Sequence, residues 1–262
     1  MTPGIDLTLL SRIEDAGLNA SAPWQQRWLD GWLVRFAPDK ARRARCVNAV
    51  ARGRLSTAAK LEICAALYEA AGLPLCMRMT PFSQPPDLED ELDRLGWAAV
   101  DETQVMVSTC IHEKRLGKSH PAGARLSAVS PTEFAEAIGD LQGTPAAQRA
   151  AHADRLLHCP VACESFVLAA EDGTTVACGQ LMIEGAIAGL YGVHTAASWR
   201  GRGLASSLCD SLLARAADRA ASVAYLQVEV ANEGARRLYR RLGFIDAYRY
   251  HYRMAAPPAA PL

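Results

Sequence analysis

The chain has 262 residues, half of them apolar, with 28 basic and 28 acidic side chains and a formal charge of zero. That length suits two domains at about 100–200 residues each, and zero net charge excludes a global field for gathering nucleic acid or anionic lipid, so any anion site must be built locally. No stretch reaches the roughly 20 apolar residues of a membrane helix, and the acidic N-terminus is unlike a secretory signal; the expectation is a cytoplasmic protein with no nucleic-acid or membrane partner.

Residues 1–23 read as a short amphipathic lead-in. A compact β-type run over 32–36 is followed by a turn at 37–40. Ala59, Ile63, Leu67 and Ala71 recur every four residues, which predicts a helix over 56–71. Strand character returns from Pro74 to Met79. Pro85-Pro86-Asp87 opens a helix to Leu95 that Gly96 closes, and 104–109 reads as a strand. Trp24, Trp28 and Trp32, four residues apart, suggest a core or inter-domain stripe.

Lys, Gly, Ser and Pro over 114–123 read as a linker. It divides a first domain, 1–113, from a second, 124–254, and the Ala/Pro tail over 255–262 is expected to be disordered. In the second domain a strand over 125–129 precedes helical material from 131 to about 157. Strands follow at 164–170, 176–183 and 186–195, a helix at 203–219, a strand at 223–230, a helix at 232–242 and a last strand near 246–254.

Eight cysteines are scattered along the chain. Cys159 and Cys163, beside His158, have no second pair to complete a zinc site, so the cysteines read as small buried residues in a reducing compartment and no metal is expected. A weak echo runs through the chain. Arg52-Gly53-Arg54-Leu55 and Arg200-Gly201-Arg202-Gly203-Leu204 each precede a helix. Leu95-Gly96-Trp97 follows the first at about the spacing at which Leu242-Gly243-Phe244 follows the second. The pairing suggests a duplicated unit whose first copy has drifted.

The chemistry concentrates at the second of these. A strand ending at Val193-His194-Thr195 runs through a short loop into Arg200-Gly201-Arg202-Gly203-Leu204-Ala205-Ser206, which opens a helix. The first N–H groups of a helix have no intrahelical partner, and the helix dipole adds positive potential there. With two glycines to admit the ligand and two arginines for charge, the segment forms a cradle for a pyrophosphate. A P-loop would need a lysine after Gly203. A dinucleotide fingerprint would need Gly or Ala at Ser206 and no four-residue gap after the strand.

The pattern Arg200-x-x-Gly203-x-Ala205 after a strand resembles the acyl-CoA-binding signature of the GNAT-type N-acetyltransferases. Asn232 and Tyr239, seven apart before Leu242-Gly243-Phe244, resemble that family's second signature, and Leu226 to Val230 is similar to its fifth strand. The likeness covers about 130 residues, from 124 to 254. The two-unit arrangement and the closing Tyr250-His251-Tyr252-Arg253 resemble a tandem branch with a degenerate first unit. In the first half Leu92 stands where Tyr239 would, and Gly203 has no counterpart.

This resemblance implies an α/β fold of two GNAT-like units, each a mixed, mostly antiparallel sheet flanked by helices. It implies acetyl-CoA as cosubstrate, with Val193, His194 and Thr195 pairing with the pantetheine arm. Arg200, Gly201, Arg202, Gly203, Leu204, Ala205 and Ser206 would hold the pyrophosphate, and Asn232 would hydrogen-bond the arm. Tyr239 would be the general acid: a phenol of pKa near 10 suits a thiolate leaving group of about 8–10. A backbone N–H near Val193 would polarise the carbonyl. Some family members that acetylate protein N-termini carry Glu where Gln227 stands; Glu229, two residues on and on the same strand face, is the alternative base. The acceptor is an amine, of a small molecule or a protein N-terminus, and the protein a monomer or homodimer.

Plainer readings stand beside these. Tyr239 can be a packed tyrosine and Glu229 a solvated strand residue; Arg236, Arg237, Arg240 and Arg241 could reach the cofactor's 3′-phosphate, with a solvated basic face as the default. His194 and His251 can be structural histidines. The rival from another class is a catalytically silent CoA-binding or interaction module.

Overall fold

The computed structural model describes residues 5–38, 41–111 and 120–255. Most of the expected linker and tail, and half of the turn at 37–40, lie outside them. The chain resolves into two compact units that are discontinuous in sequence. The larger joins residues up to 21 with 105–228 and 232–247; the smaller joins 22–104 with 229–231 and the chain from 248 onward.

Helix α1 (Leu7–Ala20), capped by Asp6, turns Leu10, Ile13, Gly17 and Ala20 into the larger unit. The smaller unit begins with a hairpin of β1 (Gln25–Leu29) and β2 (Trp32–Phe36), whose turn carries Asp30 and Gly31 at φ 43° and 86°. Such positive φ at both central residues is what a tight two-residue hairpin turn demands. Then come β3 (Val47–Ala49), α2 (Thr57–Ala70), β4 (Cys76–Met79), α3 (Leu88–Arg94) and β5 (Ala98–Ser108). β1–β2 and β2–β3 pair antiparallel, and β3–β4 parallel across the α2 crossover. The core packs Trp32, Val34, Leu61, Tyr68, Met77 and Leu92.

The tryptophan stripe is not formed. Trp32 is fully buried, whereas Trp24 and Trp28 are 61% and 65% exposed. The physical reason is the hairpin: Leu29 faces Trp32 across the strands and Trp28 faces Leu33, so Trp28 and Trp32 project from opposite faces.

In the larger unit β6 (Arg125–Val129) leads to α4 (Pro131–Gln142) and α5 (Ala146–Leu157). The helical material expected from 131 to about 157 is two helices. Ser130 and Glu133 form a capping box at the start of α4; Gly143 ends it at φ 64°, and Pro145 opens α5. Next come β7 (Ala162–Ala169), β8 (Thr175–Glu184), β9 (Ile187–Thr195), α6 (Leu204–Asp218), β10 (Val223–Glu229), α7 (Glu233–Arg241) and β11 (Ile245–Met254). β6 to β9 pair antiparallel in sequence, and β9–β10 pair parallel across the α6 crossover. The mixed, mostly antiparallel sheets flanked by helices match the expected α/β class.

Alternation along the strands feeds two cores. Leu168, Leu181, Leu190 and Leu226 meet Leu204, Leu208 and Leu212 of α6, while Val167, Cys178 and Met182 meet Phe134 and Ile138 of α4. The four-residue spacing of the α6 leucines keeps them on one face. Each contributes about 1.5–3 kcal/mol by burial, which is what fixes the helix start against the sheet.

Candidate active site

Two irregularities open the larger unit between β9 and β10. Their parallel pairing runs only from Ile187↔Val223 to Leu190↔Leu226, although β9 continues to Thr195 and β10 to Glu229. On its other side β9 stays paired to β8, with Cys178 opposite His194 and Gln180 opposite Tyr191. Gly192 and Val193 thus face the single Gly179, a β-bulge that bends the strand. Gly192 takes φ 56°, and a Cβ there would meet Phe134 at 2.9 Å, so both conformation and space call for glycine. Beyond the bulge, β9 and β10 are no longer paired with each other among the described residues. Thr195 Oγ1 is buried there without a hydrogen-bond partner among the described residues.

From Thr195 the chain makes a short 3₁₀ turn, Ala197–Trp199, and enters α6. Gly203 is the N-cap at φ 80°, and no side chain caps the helix. The first backbone N–H groups therefore remain open to a ligand. Arg200 is tethered by its Nε to the Thr195 carbonyl at 3.3 Å. Arg202 turns away: it donates to the Ser198 carbonyl at 3.3 Å and lies 4.6 Å over the Trp199 ring. His120 contacts Ser207 Oγ at 2.6 Å beside this turn.

The opposite wall is α7. The Asn232 side-chain oxygen accepts from the Ala235 N–H at 3.1 Å and so caps the helix, which leaves its amide NH₂ for other partners. Tyr239 is 8% exposed and packs edge-on to Phe244 at 6.0 Å. Burial first, and then neighbouring Cys209, push its phenol well above the ordinary value. At neutral pH it therefore carries its proton.

These parts line one cleft of ≈ 650 Å³. Val193, His194, Thr195, Arg200, Gly201, Gly203, Leu204, Ala205, Ser206, Asn232 and Tyr239 all border it. Two expected residues do not. Arg202 faces Trp199 as described, and Glu229 is an exposed residue at the end of β10 that groups with the smaller unit. Sequence reasoning missed Trp199, Gly234, Ala235 and Leu238, and gave Arg241 either a cofactor contact or, by default, a solvated face; all five border the cleft. Gly234, Leu238 and Arg241 recur at helical spacing, the signal that could have found them. Among the described residues no Asp or Glu lines the cleft, and its charged side chains are Arg200 and Arg241. Chemically it offers backbone groups to an extended amide chain at one end and N–H groups with positive charge to an anion at the other.

The smaller unit places a similar loop before α2, but there the N–H groups are taken. The Asp30 carboxylate accepts from Arg54 N at 2.8 Å and Leu55 N at 2.7 Å, and Ser56 caps the helix. Lys60, 1% exposed, pairs with Asp30 at 3.2 Å and donates to its carbonyl at 2.8 Å.

Residues 136–244 match the acetyltransferase (GNAT) family, the stretch that holds the whole cleft from the β9 bulge to Tyr239. The chain carries a GNAT acetyltransferase domain. An uncharacterized N-acetyltransferase of Bacillus subtilis (strain 168), YobR, is 24% identical over 242 residues, 90% of this chain and 95% of the relative. A GCN5-related N-acetyltransferase from Kribbella flavida shares the fold at TM-score 0.71 and 20% identity, over 96% of this chain and 97% of that one. A tandem GNAT protein from the clavulanic acid biosynthesis pathway, solved without AcCoA, aligns at TM-score 0.61 and 16% identity over 78% and 72%. The match places residues 136–244 in a family of acetyltransferases. Among the described residues, no group of His, Cys, Asp and Glu could hold a metal ion, and no helix is long and apolar enough to cross a membrane.

Proposed function

We propose that the chain is an acetyl-CoA-dependent N-acetyltransferase acting by direct attack of an amine, with Tyr239 as general acid. The observation that carries this reading is the meeting, in one cleft, of an unpaired strand edge, an uncapped helix start and a buried phenol. The residues present fit acetyl-CoA: the orphaned Thr195 hydroxyl and the open edge at Val193 to Thr195 suit the amides of a pantetheine arm. The start of α6, from Gly201 to Ser206, suits its diphosphate. Bound there, acetyl-CoA supplies an activated thioester.

The chain's own groups do the rest. A backbone N–H of the bulged strand near Val193 polarises the carbonyl. Tyr239 donates its phenolic proton to the leaving sulfur. Water takes up the amine proton; Glu229, the base expected from the resemblance, does not border the cleft and is not assigned that role. The acceptor is a small-molecule amine or a protein N-terminus. The smaller unit is proposed as a degenerate second copy, supported by element order and pairing: β3–α2–β4–α3–β5 follows the plan of β9–α6–β10–α7–β11, with a parallel pair across each first crossover.

Acetyl-CoA titrated calorimetrically into the purified protein is expected to bind, and a mixed amine panel to release free thiol above the hydrolysis background. Failure to bind acetyl-CoA would sink the reading. Binding without turnover on any amine would favour the silent CoA-binding module instead.

A further inference from the structure

Among the described residues β1 pairs with β2 alone, so its outer edge offers backbone N–H and C=O groups to another strand. Edges of this kind are ordinarily guarded by charged side chains, proline, a bulge or a covering element. From Trp24 to Leu29 the one charged residue is Arg27, whose guanidinium lies over the Phe36 ring at 5.4 Å. The register with β2 runs from Gln25↔Phe36 to Leu29↔Trp32 without a bulge. Every residue from Trp24 to Trp28 is exposed, the two tryptophans by 61% and 65%. By contrast β6, which among the described residues pairs only with β7, exposes Arg125, Ser127 and Ala128.

The segment is its own complement. Strand alternation puts Trp24, Gln26 and Trp28 on one face, the face on which Gln26 Oε1 accepts from Arg35 Nε at 3.1 Å. Antiparallel pairing of two copies about Gln26 sets each Trp24 opposite Trp28 of the second copy, and each Gln25 opposite its Arg27. Aromatic pairs directly across two strands are stabilising. The charges agree with this register: each Arg27 meets an uncharged amide, whereas pairing about Arg27 would set two guanidiniums face to face. The area also suffices. Four tryptophans, each with about 150–250 Å² to bury and most of it still exposed, supply several hundred Å². The backbone edges with Gln25, Gln26 and Arg27 bring the contact to the order of 1,000 Å², the low end for a specific interface.

We infer that β1 is a homodimer surface, on which two copies of the chain pair antiparallel about Gln26 with Trp24 of each against Trp28 of the other. A second copy is the occupant because a two-fold contact uses the same segment on both sides and closes after two chains. Sedimentation equilibrium of the full chain across the micromolar range tests this, for wild type, Trp28→Ser, Gln25→Glu and Gln25→Arg. Wild type is expected to form a dimer that dissociates in that range. Trp28→Ser is expected to weaken it roughly tenfold or more. Gln25→Glu, facing Arg27 of the second copy, is expected to tighten the dimer roughly threefold, and Gln25→Arg to weaken it by a similar factor. Both positions are exposed, so the thermal midpoint should hold; if Trp28→Ser loses the fold, the opposite shifts at Gln25 decide alone. A monomeric wild type would leave the edge to a strand of some other protein and overturn the assignment. So would a dimer indifferent to Trp28→Ser in its folded form. Shifts of the same sign, or none, from Gln25→Glu and Gln25→Arg overturn the pairing about Gln26.

Discussion

A tyrosine that is almost wholly buried yet borders an open cleft presents one polar atom to whatever binds there. Tyr239 is in that position, held by Phe244 and the α6 core. Replacing it by Phe keeps the ring and removes only the hydroxyl, so acetyl-CoA affinity is expected to stay unchanged while kcat falls by roughly 100-fold or more. The raised phenol pKa sets the sign of the pH profile. The proton is retained as pH rises through 10, the ordinary tyrosine value, so stopped assays should show no loss of rate from this group up to that pH. A wild-type profile that turns down near pH 8 and flattens in Tyr239→Phe would count against the pKa argument. Much of the site was legible at this scale because Asn232, Tyr239, Arg200 and Gly203 are residues whose chemistry is specific to their spacing. Arg202 and Glu229 were not, because the direction of a side chain depends on local packing, here the Trp199 ring and the end of β10.

Between the elements, the same topological position is used in two ways. The start of α6 is left uncapped, whereas the loop before α2 gives its N–H groups to Asp30 and its cap to Ser56. The echo at 52–55 marks this position, but the strand turn that delivers Asp30 lies some two dozen residues earlier. The strands β1 and β3 went unread for other reasons: β1 is exposed along nearly its whole length and so lacks an apolar face, and β3 has only three residues. Two substitutions probe the contrast. Gly203→Ala is expected to cost about 1–2 kcal/mol, since its φ of 80° disfavours a Cβ although the nearest atom, Pro121 Cγ, is a comfortable 3.6 Å away. Chemical denaturation measures this, and acetyl-CoA affinity should fall with it. Asp30→Ala is expected to lower the thermal midpoint by roughly 5–10 °C, because it strands the buried Lys60 ammonium and two backbone N–H groups. Asp30→Ala with Lys60→Met should recover part of the loss. Asp30 has its pKa lowered, chiefly by the Arg54 and Leu55 N–H groups. Its contribution is therefore present above the unfolded carboxylate value and disappears as pH falls through the folded one.

At the scale of the whole chain, these differences fix how many cofactors one molecule can hold. Both units follow a strand–helix–strand plan with a parallel pair across the crossover, and the Kribbella flavida structure shares the fold over 96% of the chain. Plan alone would allow two sites. Yet in the smaller unit an internal carboxylate fills the place of a phosphate, and a buried lysine neutralises it. Leu92, fully buried in the core, stands where the acid would. A diphosphate at these N–H groups would have to displace Asp30 and take its place beside Lys60. Calorimetric titration with acetyl-CoA is therefore expected to give one site per chain, and Gly203→Ala to weaken that single isotherm without revealing another. Two equivalents bound to wild type would mean that the Asp30 contact opens on binding, and the smaller unit would then have to be counted as a second active-site candidate.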